Sequence, residues 1–217
     1  IENVNYLEYE DKLINRFSIL KKFNTKILLD CAHGSLSKIA PNIFKRLEMN
    51  YISIGIKPNG KNINRNYGAT YPLELSKRTM LHNAKIGISF DGDADRIGIV
   101  DEKGDFIYSD MVLLLLARAV LAERPGSKII GEVKCSKNLF DDIHNNGGLP
   151  IMWKTGHSNI KRKIKEESAP LAGELSGHIF FADKHHGFDD ALYAALRFIE
   201  VVSSQSKALS SMLSNVP

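Results

Sequence analysis

Short apolar runs alternate with segments of helical period along this chain, and that alternation does most to limit its fold. Lys26–Asp30, Tyr51–Ile56, Ile86–Phe90 and Ile97–Val100 are four to six residues long and rich in Ile and Leu, as buried strands are. The segments between them differ. Residues 5–21 carry Leu7, Leu13, Ile14, Phe17 and Leu20 at helical spacing. Ile39, Ile43, Phe44 and Leu47 share one face of a helix that Ser37 can cap, with Pro41 tolerable only in its first turn. Residues 57–69, rich in Asn, Gly and Lys, read as loop, and Thr70 and Pro72 open another helix to Asn83.

The pattern then recurs. Ser109 or Asp110 caps an apolar helix over 111–123 that Pro125 and Gly126 end. Lys128–Val133 reads as strand. Ser136 caps a helix bearing Leu139, Phe140 and Ile143, closed by Gly147 and Gly148. Leu149–Trp153 is strand, Ser158–Glu167 helix, Leu171–Gly173 and Ile179–Ala182 strands. A long helix from Asp189 or Asp190 runs past Val202. Two rounds of about 100 residues each predict an α/β protein of two consecutive small domains, 1–105 and 106–217. Each is a mostly parallel mixed sheet flanked by helices.

Composition narrows the partners. With 43% apolar residues against a net charge of +4, the chain is not of the disordered class. The basic excess is small, and its longest cluster, Lys161-Arg162-Lys163, is followed by Glu166 and Glu167, a solvated helix face rather than a nucleic-acid surface. Met111–Leu116 is too short to cross a bilayer and meets Arg118, so it reads as a buried helix. No nucleic-acid or membrane partner is expected. Two cysteines, Cys31 and Cys135, do not make a disulfide framework, and a reducing cytoplasm is the expected location. The chain opens on Ile1 rather than Met, without a signal peptide, and is read as a piece of something longer.

The sharpest chemical feature is Asp91-Gly92-Asp93-Ala94-Asp95-Arg96, between two strands. Gly and Ala let the backbone curl so that three carboxylates converge, and converging anions repel unless a cation joins them. Oxygen ligands favour Mg²⁺ or Ca²⁺. A helix-flanked calcium loop fails, because its sixth position, Arg96, requires Gly and the flanks read as strands. An exposed acidic hairpin without a ligand is the competing reading. Gly173-Glu174-Leu175-Ser176-Gly177-His178 is a second polar turn; a carboxylate, a hydroxyl and an imidazole there suit a polyol as well as plain solvent. Lys154-Thr155-Gly156-His157-Ser158 leads from a strand into a helix N-terminus, a place that favours anions. Lys134 alone reads as a surface charge and Cys135 as packing.

In their order and spacing these motifs resemble the α-D-phosphohexomutase superfamily over essentially the whole chain. The resemblance implies that Asp91, Asp93 and Asp95 bind Mg²⁺ and that Arg96 contacts a phosphoserine or the reacting centre. It implies that Glu174 and Ser176 read the 3- and 4-hydroxyls of a hexose phosphate. Gly156, His157 and Lys134 would contact substrate, and His178 and Lys134 would be the acid/base candidates. Phe180, Phe181 and Phe188 read as core, and Asp189–Asp190 as a helix cap. The Lys154–His157 segment and Val133–Ser136 resemble the phosphomannomutase/phosphoglucomutase branch. Asn62-Ile63-Asn64 with Tyr67–Thr70 is closer to phosphoglucosamine mutases, which carry Gly where this chain has Ala94 and Gln where it has Leu175.

The family's reaction moves a phosphoryl group between the 1- and 6-positions of a hexose through a phosphoserine and a bisphosphate. Neither a Thr-Ala-Ser-His-Asn-Pro-like nucleophile loop nor an Arg-x-Ser-Asn-Thr-x-Pro phosphate loop occurs in these 217 residues. The expectation is therefore the second and third domains of a mutase, whose first and fourth domains would be its partners, inactive alone. A non-catalytic module binding metal or sugar phosphate is the reading from another class.

Overall fold

The protein is described here by a computed structural model covering residues 6–216, so residue 5, where the first expected helix starts, lies outside the described residues. The first unit runs α1 (Tyr6–Arg16), a 3-10 turn (Ser18–Lys22), β1 (Ile27–Asp30), α2 (Leu36–Arg46), β2 (Tyr51–Ile54), α3 (Pro72–Leu81), β3 (Ile86–Phe90), β4 (Ile97–Val100) and β5 (Phe106–Ile107). Its sheet has the order β2-β1-β3-β4-β5, with β1 parallel to β2 and β3, and β4 and β5 added antiparallel. The second unit runs α4 (Ser109–Glu123), β6 (Lys128–Glu132), α5 (Lys137–Asn145), β7 (Leu149–Trp153), α6 (His157–Glu167), β8 (Leu171–Gly173), β9 (Ile179–Phe181), α7 (Ala191–Ser203) and α8 (Leu209–Met212). Its order is β7-β6-β8-β9, parallel except for β9. The architecture is thus two mixed sheets flanked by helices, as the alternation predicts.

The caps depart from expectation. α2 begins at Leu36, so Ser37 lies inside the first turn, its hydroxyl donating to the Gly34 carbonyl at 2.7 Å. Pro41 then falls in the second turn, where its missing N–H leaves the Ser37 carbonyl without its usual partner. α4 starts at Ser109, with Tyr108 in the cap position. The Asp110 carboxylate instead accepts the Ser136 N–H at 2.8 Å, tying α4 to the start of α5. Ser136 holds the cap position of α5 with extended backbone, but its hydroxyl makes no capping bond. α8, four residues long, is too short to show a period in sequence.

Alternation along the strands sends side chains to two faces of each sheet. Ile27, Leu29, Ile86, Ile88, Phe90, Ile97 and Ile99 of the first sheet share one continuous apolar cluster with Ile129, Leu171, Ile179 and Phe181 of the second. The opposite faces are closed separately, by Leu75 of α3 over Leu28 and Val100, and by Ile160 and Ile164 of α6 over Ile130, Ala172 and Phe180. α4 and α7 therefore lie between the two sheets. Val112–Ala117 and Ala191–Ile199 are buried without a break, as a helix covered on both sides must be. The one charged side chain in the latter stretch, Arg197, is paired with Asp183 at 2.9 Å and lies over the Phe181 ring.

Because the sheets share this middle layer, the two units are expected to unfold together. Phe198, fully buried in α7, is the probe. Phe198→Ala is expected to cost about 3–5 kcal/mol while urea unfolding keeps a single transition by both fluorescence and circular dichroism. Two separate transitions in the unsubstituted protein would show that the layer does not couple the units.

Candidate functional site

The loops after β1, β3, β6, β7 and β8 all leave carboxyl ends of strands, where open α/β sheets bind ligands. The acidic loop spans β3 and β4. Asp91 is buried, Asp95 half-buried and Asp93 exposed, and one carboxylate oxygen from each lies within 4.8 Å of the others. Asp91 Oδ1 accepts the backbone N–H groups of Asp95 and Arg96 at 3.2 and 3.1 Å, which curls the loop around it. Ala94 adopts φ 72°, a left-handed conformation that costs an L-residue about 1–2 kcal/mol and glycine nothing. The turn after β1 supports the loop from below. Ser35 N–H donates to the Gly92 carbonyl at 2.9 Å, and a Cβ on Gly34 would lie 2.5 Å from that same oxygen. Buried Asp30 holds the Ala32 and Gly68 N–H groups, fixing the 57–69 loop beside it.

This loop fits a hard divalent cation. Burial, with Asp95 and Asp93 as neighbours, pushes the Asp91 carboxyl up to about 6. Asp95 Oδ1 is buried and accepts no hydrogen bond; its nearest cation, Arg96 Nε, is 3.8 Å away. Oxygen donors of this kind, one of them orphaned, suit Mg²⁺.

The turn that carries Glu174, Ser176 and His178 meets the acidic loop edge to edge. Ile97 N–H donates to the Gly177 carbonyl at 3.0 Å, and Arg96 and His178 form an antiparallel bridge. His178 is buried between them. Its Nδ1 is 2.9 Å from Glu174 Oε2 and 3.0 Å from Ser176 Oγ; its Nε2 accepts from Arg96 Nε at 3.3 Å and lies 3.3 Å from Asp95 Oδ2. Burial would lower the imidazole's pKa, but the bond to Glu174 and the charge of Asp95 outweigh it and hold it above the ordinary value. Glu174 is buried; its other oxygen accepts the Gly156 N–H at 2.6 Å. Burial raises this carboxyl, and the His178 and Gly156 bonds more than reverse that, leaving it below the usual range. Gly156 adopts φ 117°, open to glycine alone, so this bond depends on the residue type.

The structure thus gathers Asp91, Asp95, Arg96, Gly156, Glu174, Ser176 and His178 in one contact network. His157 is exposed, its ring centre 6.3 Å from that of His178. Lys134 is half-exposed, with its ammonium 3.3 Å from Glu132. The Asp pair splits. Asp190 caps α7 through the Tyr193 N–H, whereas Asp189 pairs with Lys161 at 2.6 Å and brings an oxygen within 4.8 Å of ligand atoms on Asp95 and His178. Phe180 and Phe181 are core, but Phe188 is exposed, because the 183–190 loop carries it out against His185 and His186. Sequence reasoning missed Glu132 and Asp189. The only signal for Glu132 was a charge ending an apolar strand. Both cysteine thiols are free and buried, and burial pushes that of Cys135 up to about 12.

The fold and site together define an α/β protein in which a carboxylate cluster lies edge to edge with a second polar turn, and comparison with known proteins gives that arrangement a family. Residues 6–104 match the model of phosphoglucomutase/phosphomannomutase α/β/α domain II, and residues 108–217 that of domain III. The chain belongs to the phosphoglucomutase/phosphomannomutase family. A phosphomannomutase/phosphoglucomutase of Pseudomonas aeruginosa is 40% identical over 195 residues, covering 88% of this chain and 42% of that protein. A phosphoglucosamine mutase of Chlamydia felis is 32% identical over 97% of this chain and 46% of its own length. The crystal structure of a phosphoglucomutase/phosphomannomutase family protein from Burkholderia thailandensis superposes with a TM-score of 0.87 at 36% identity, covering 96% of this chain and 46% of that one. The chain spans a little under half the length of these relatives.

Without divalent ions the Asp91 carboxyl is expected to titrate near 6, and saturating Mg²⁺ to bring it below the ordinary carboxylate value of about 4, as read by carbon NMR. A folded-state pKa raised in this way means that this group's contribution to stability falls as pH rises between about 4 and 6 in the metal-free protein. Gly34→Ala, which drives a methyl into the Gly92 backbone, is expected to weaken Mg²⁺ binding about tenfold or more by calorimetry, whereas Ala94→Gly leaves it unchanged.

Proposed function

We propose that this chain supplies the metal-binding and sugar-binding half of a phosphohexomutase site, within a protein that interconverts hexose 1- and 6-phosphates. The direct contact of the two loops, Asp95 and Arg96 against His178, supports this reading, because in it the groups that would face a phosphoryl lie beside those that would face a sugar. Asp91, Asp93 and Asp95 would hold Mg²⁺, which when bound neutralises charge on a transferring phosphoryl group. The half-exposed Arg96 guanidinium adds a fixed positive charge next to that position. His178 can hold a proton at Nε2, where it faces Asp95, or release it, where the lone pair faces Arg96 Nε. Glu174 sets the tautomer from the other ring nitrogen. Ser176 and His157 are exposed and would be available to sugar hydroxyls and a phosphate, with Lys134 adding charge.

No nucleophile loop of the family's kind occurs in the sequence, so the phosphoserine would come from outside residues 1–217. We place the division between the two domains near residue 105 and the protein in the cytoplasm. Among the described residues no helix is long and apolar enough to cross a membrane. A phosphoglucosamine mutase is the second reading. One observation favours it: Ile63 and Asn64, in the stretch shared with that branch, pack directly against Gly92 of the acidic loop.

The 217-residue chain is expected to bind Mg²⁺ and glucose 1-phosphate in calorimetry and to show no mutase turnover. Asp93→Asn is expected to reduce Mg²⁺ affinity at least about tenfold. Unchanged affinity would remove the ligand assignment, and turnover by this chain alone would refute the external nucleophile. Relative turnover of mannose, glucose and glucosamine phosphates by the full-length protein decides between the two branches; binding without turnover there would mark a binding module.

A further inference from the structure

Glu132 ends β6, a strand paired on both sides, and none of its side chain is exposed. Its Oε1 accepts the Leu175 N–H at 2.7 Å, inside the turn that carries Glu174 and His178, and lies 3.3 Å from the Lys134 ammonium. Its Oε2 is buried and has no hydrogen-bond partner. Among the described residues, Lys134 is the one cation in an ion pair with it.

A carboxylate withdrawn from water costs several kcal/mol unless its partners offset the loss, and here one oxygen has none. Glutamine would keep the Leu175 contact through its amide oxygen without burying a charge. Fold stability therefore gives no reason for the charge. Lys134 does. Its ammonium rides on a four-carbon stem that would otherwise sample many rotamers in solvent, and it is still 52% exposed. The same ammonium acts electrostatically on Glu174, helping to keep that carboxyl ionised.

We infer that Glu132 is a positioning residue of the sugar-phosphate site, holding the Lys134 ammonium and the Leu175 amide in register with Glu174. The inference rests on the proposed function only for the identity of the ligand. Glu132 acts through Lys134 and does not itself reach substrate.

Two measurements on the 217-residue protein test it. The first needs no sugar: acylation of Lys134 by an activated ester, followed by mass spectrometry. Glu132→Gln is expected to speed labelling of Lys134 several-fold, with Lys154 labelled at an unchanged rate and the melting temperature retained. Glu132→Asp, which keeps the charge, is expected to restore slow labelling and serves as the control should Glu132→Gln fold poorly. Equal rates in all three proteins overturn the inference.

The second is calorimetry with glucose 1-phosphate. Glu132→Gln and Lys134→Ala are each expected to weaken binding about tenfold, and the double variant to be no weaker than Lys134→Ala alone. Additive losses overturn the inference, because a group acting through Lys134 has nothing left to position once that side chain is gone. Failure of the unsubstituted protein to bind glucose 1-phosphate, with Lys134 labelling still responsive, would remove the sugar ligand and leave the positioning role standing.

Discussion

α7 is buried on every side from Ala191 to Ile199, and the placement of both loops depends on that burial. A helix with no polar stripe must have apolar partners all round. Here one sheet supplies each side, and α4 joins it in the same layer. The two units therefore share a core rather than meeting at a polar surface. The first residue of α7 also donates its N–H to the Ala94 carbonyl at 3.1 Å, so the start of the shared helix pins the acidic loop directly. With both sheets resting on common helices, the loops at their strand ends meet. The Ile97–Gly177 hydrogen bond and the Arg96–His178 bridge then complete a continuous backbone link between the units.

Electrostatics at this junction is unbalanced by design of the backbone. Asp91, Asp93, Asp95, Glu132, Glu174 and Asp189 bring six carboxylates to the strand ends, and Arg96, Lys134 and Lys161 answer with three fixed cations. His178 shares its two ring nitrogens between carboxylates on opposite sides, which is why its proton is held more firmly than burial alone would allow. The excess negative charge gathers at Asp91 and Asp95, where one carboxyl is driven toward neutrality and one oxygen has no partner. Charges left in that condition favour a cation beside them, and the turn that carries Glu174 and His178 lies one hydrogen bond away.

The parts of the site that sequence revealed are those whose residues are contiguous. Asp91–Arg96 and Gly173–His178 each form a turn in which spacing alone brings side chains together, so a local motif carries the information. Asp189 lay in plain view but looked like a cap beside Asp190. Only the path of the 183–190 loop turns one carboxylate toward the Tyr193 amide and the other toward Asp95. Glu132 had no motif, since Leu175, whose amide it holds, comes from a different strand end 43 positions away, and Lys134 two residues on reads alone as a surface charge. The misplaced caps have a similar cause. Ser37 and Asp110 are good capping residues, but backbone oxygens and amides of neighbouring segments claimed their side chains first.

The amino-acid order by itself determined the longer strands and helices, because hydrophobic period is a local property, whereas two-residue β5 and four-residue α8 are too short to show one. It also determined that two carboxylate-bearing turns follow strands. That Met111–Leu116 is a buried helix was equally legible, since six consecutive apolar residues cannot face water. What only the tertiary structure decided is where that helix is buried, between two sheets rather than under one, and hence that the two turns touch. Contact between residues 82 positions apart, as in Arg96 and His178, is set by the packing of helices that contain neither residue, and no window of sequence holds that information.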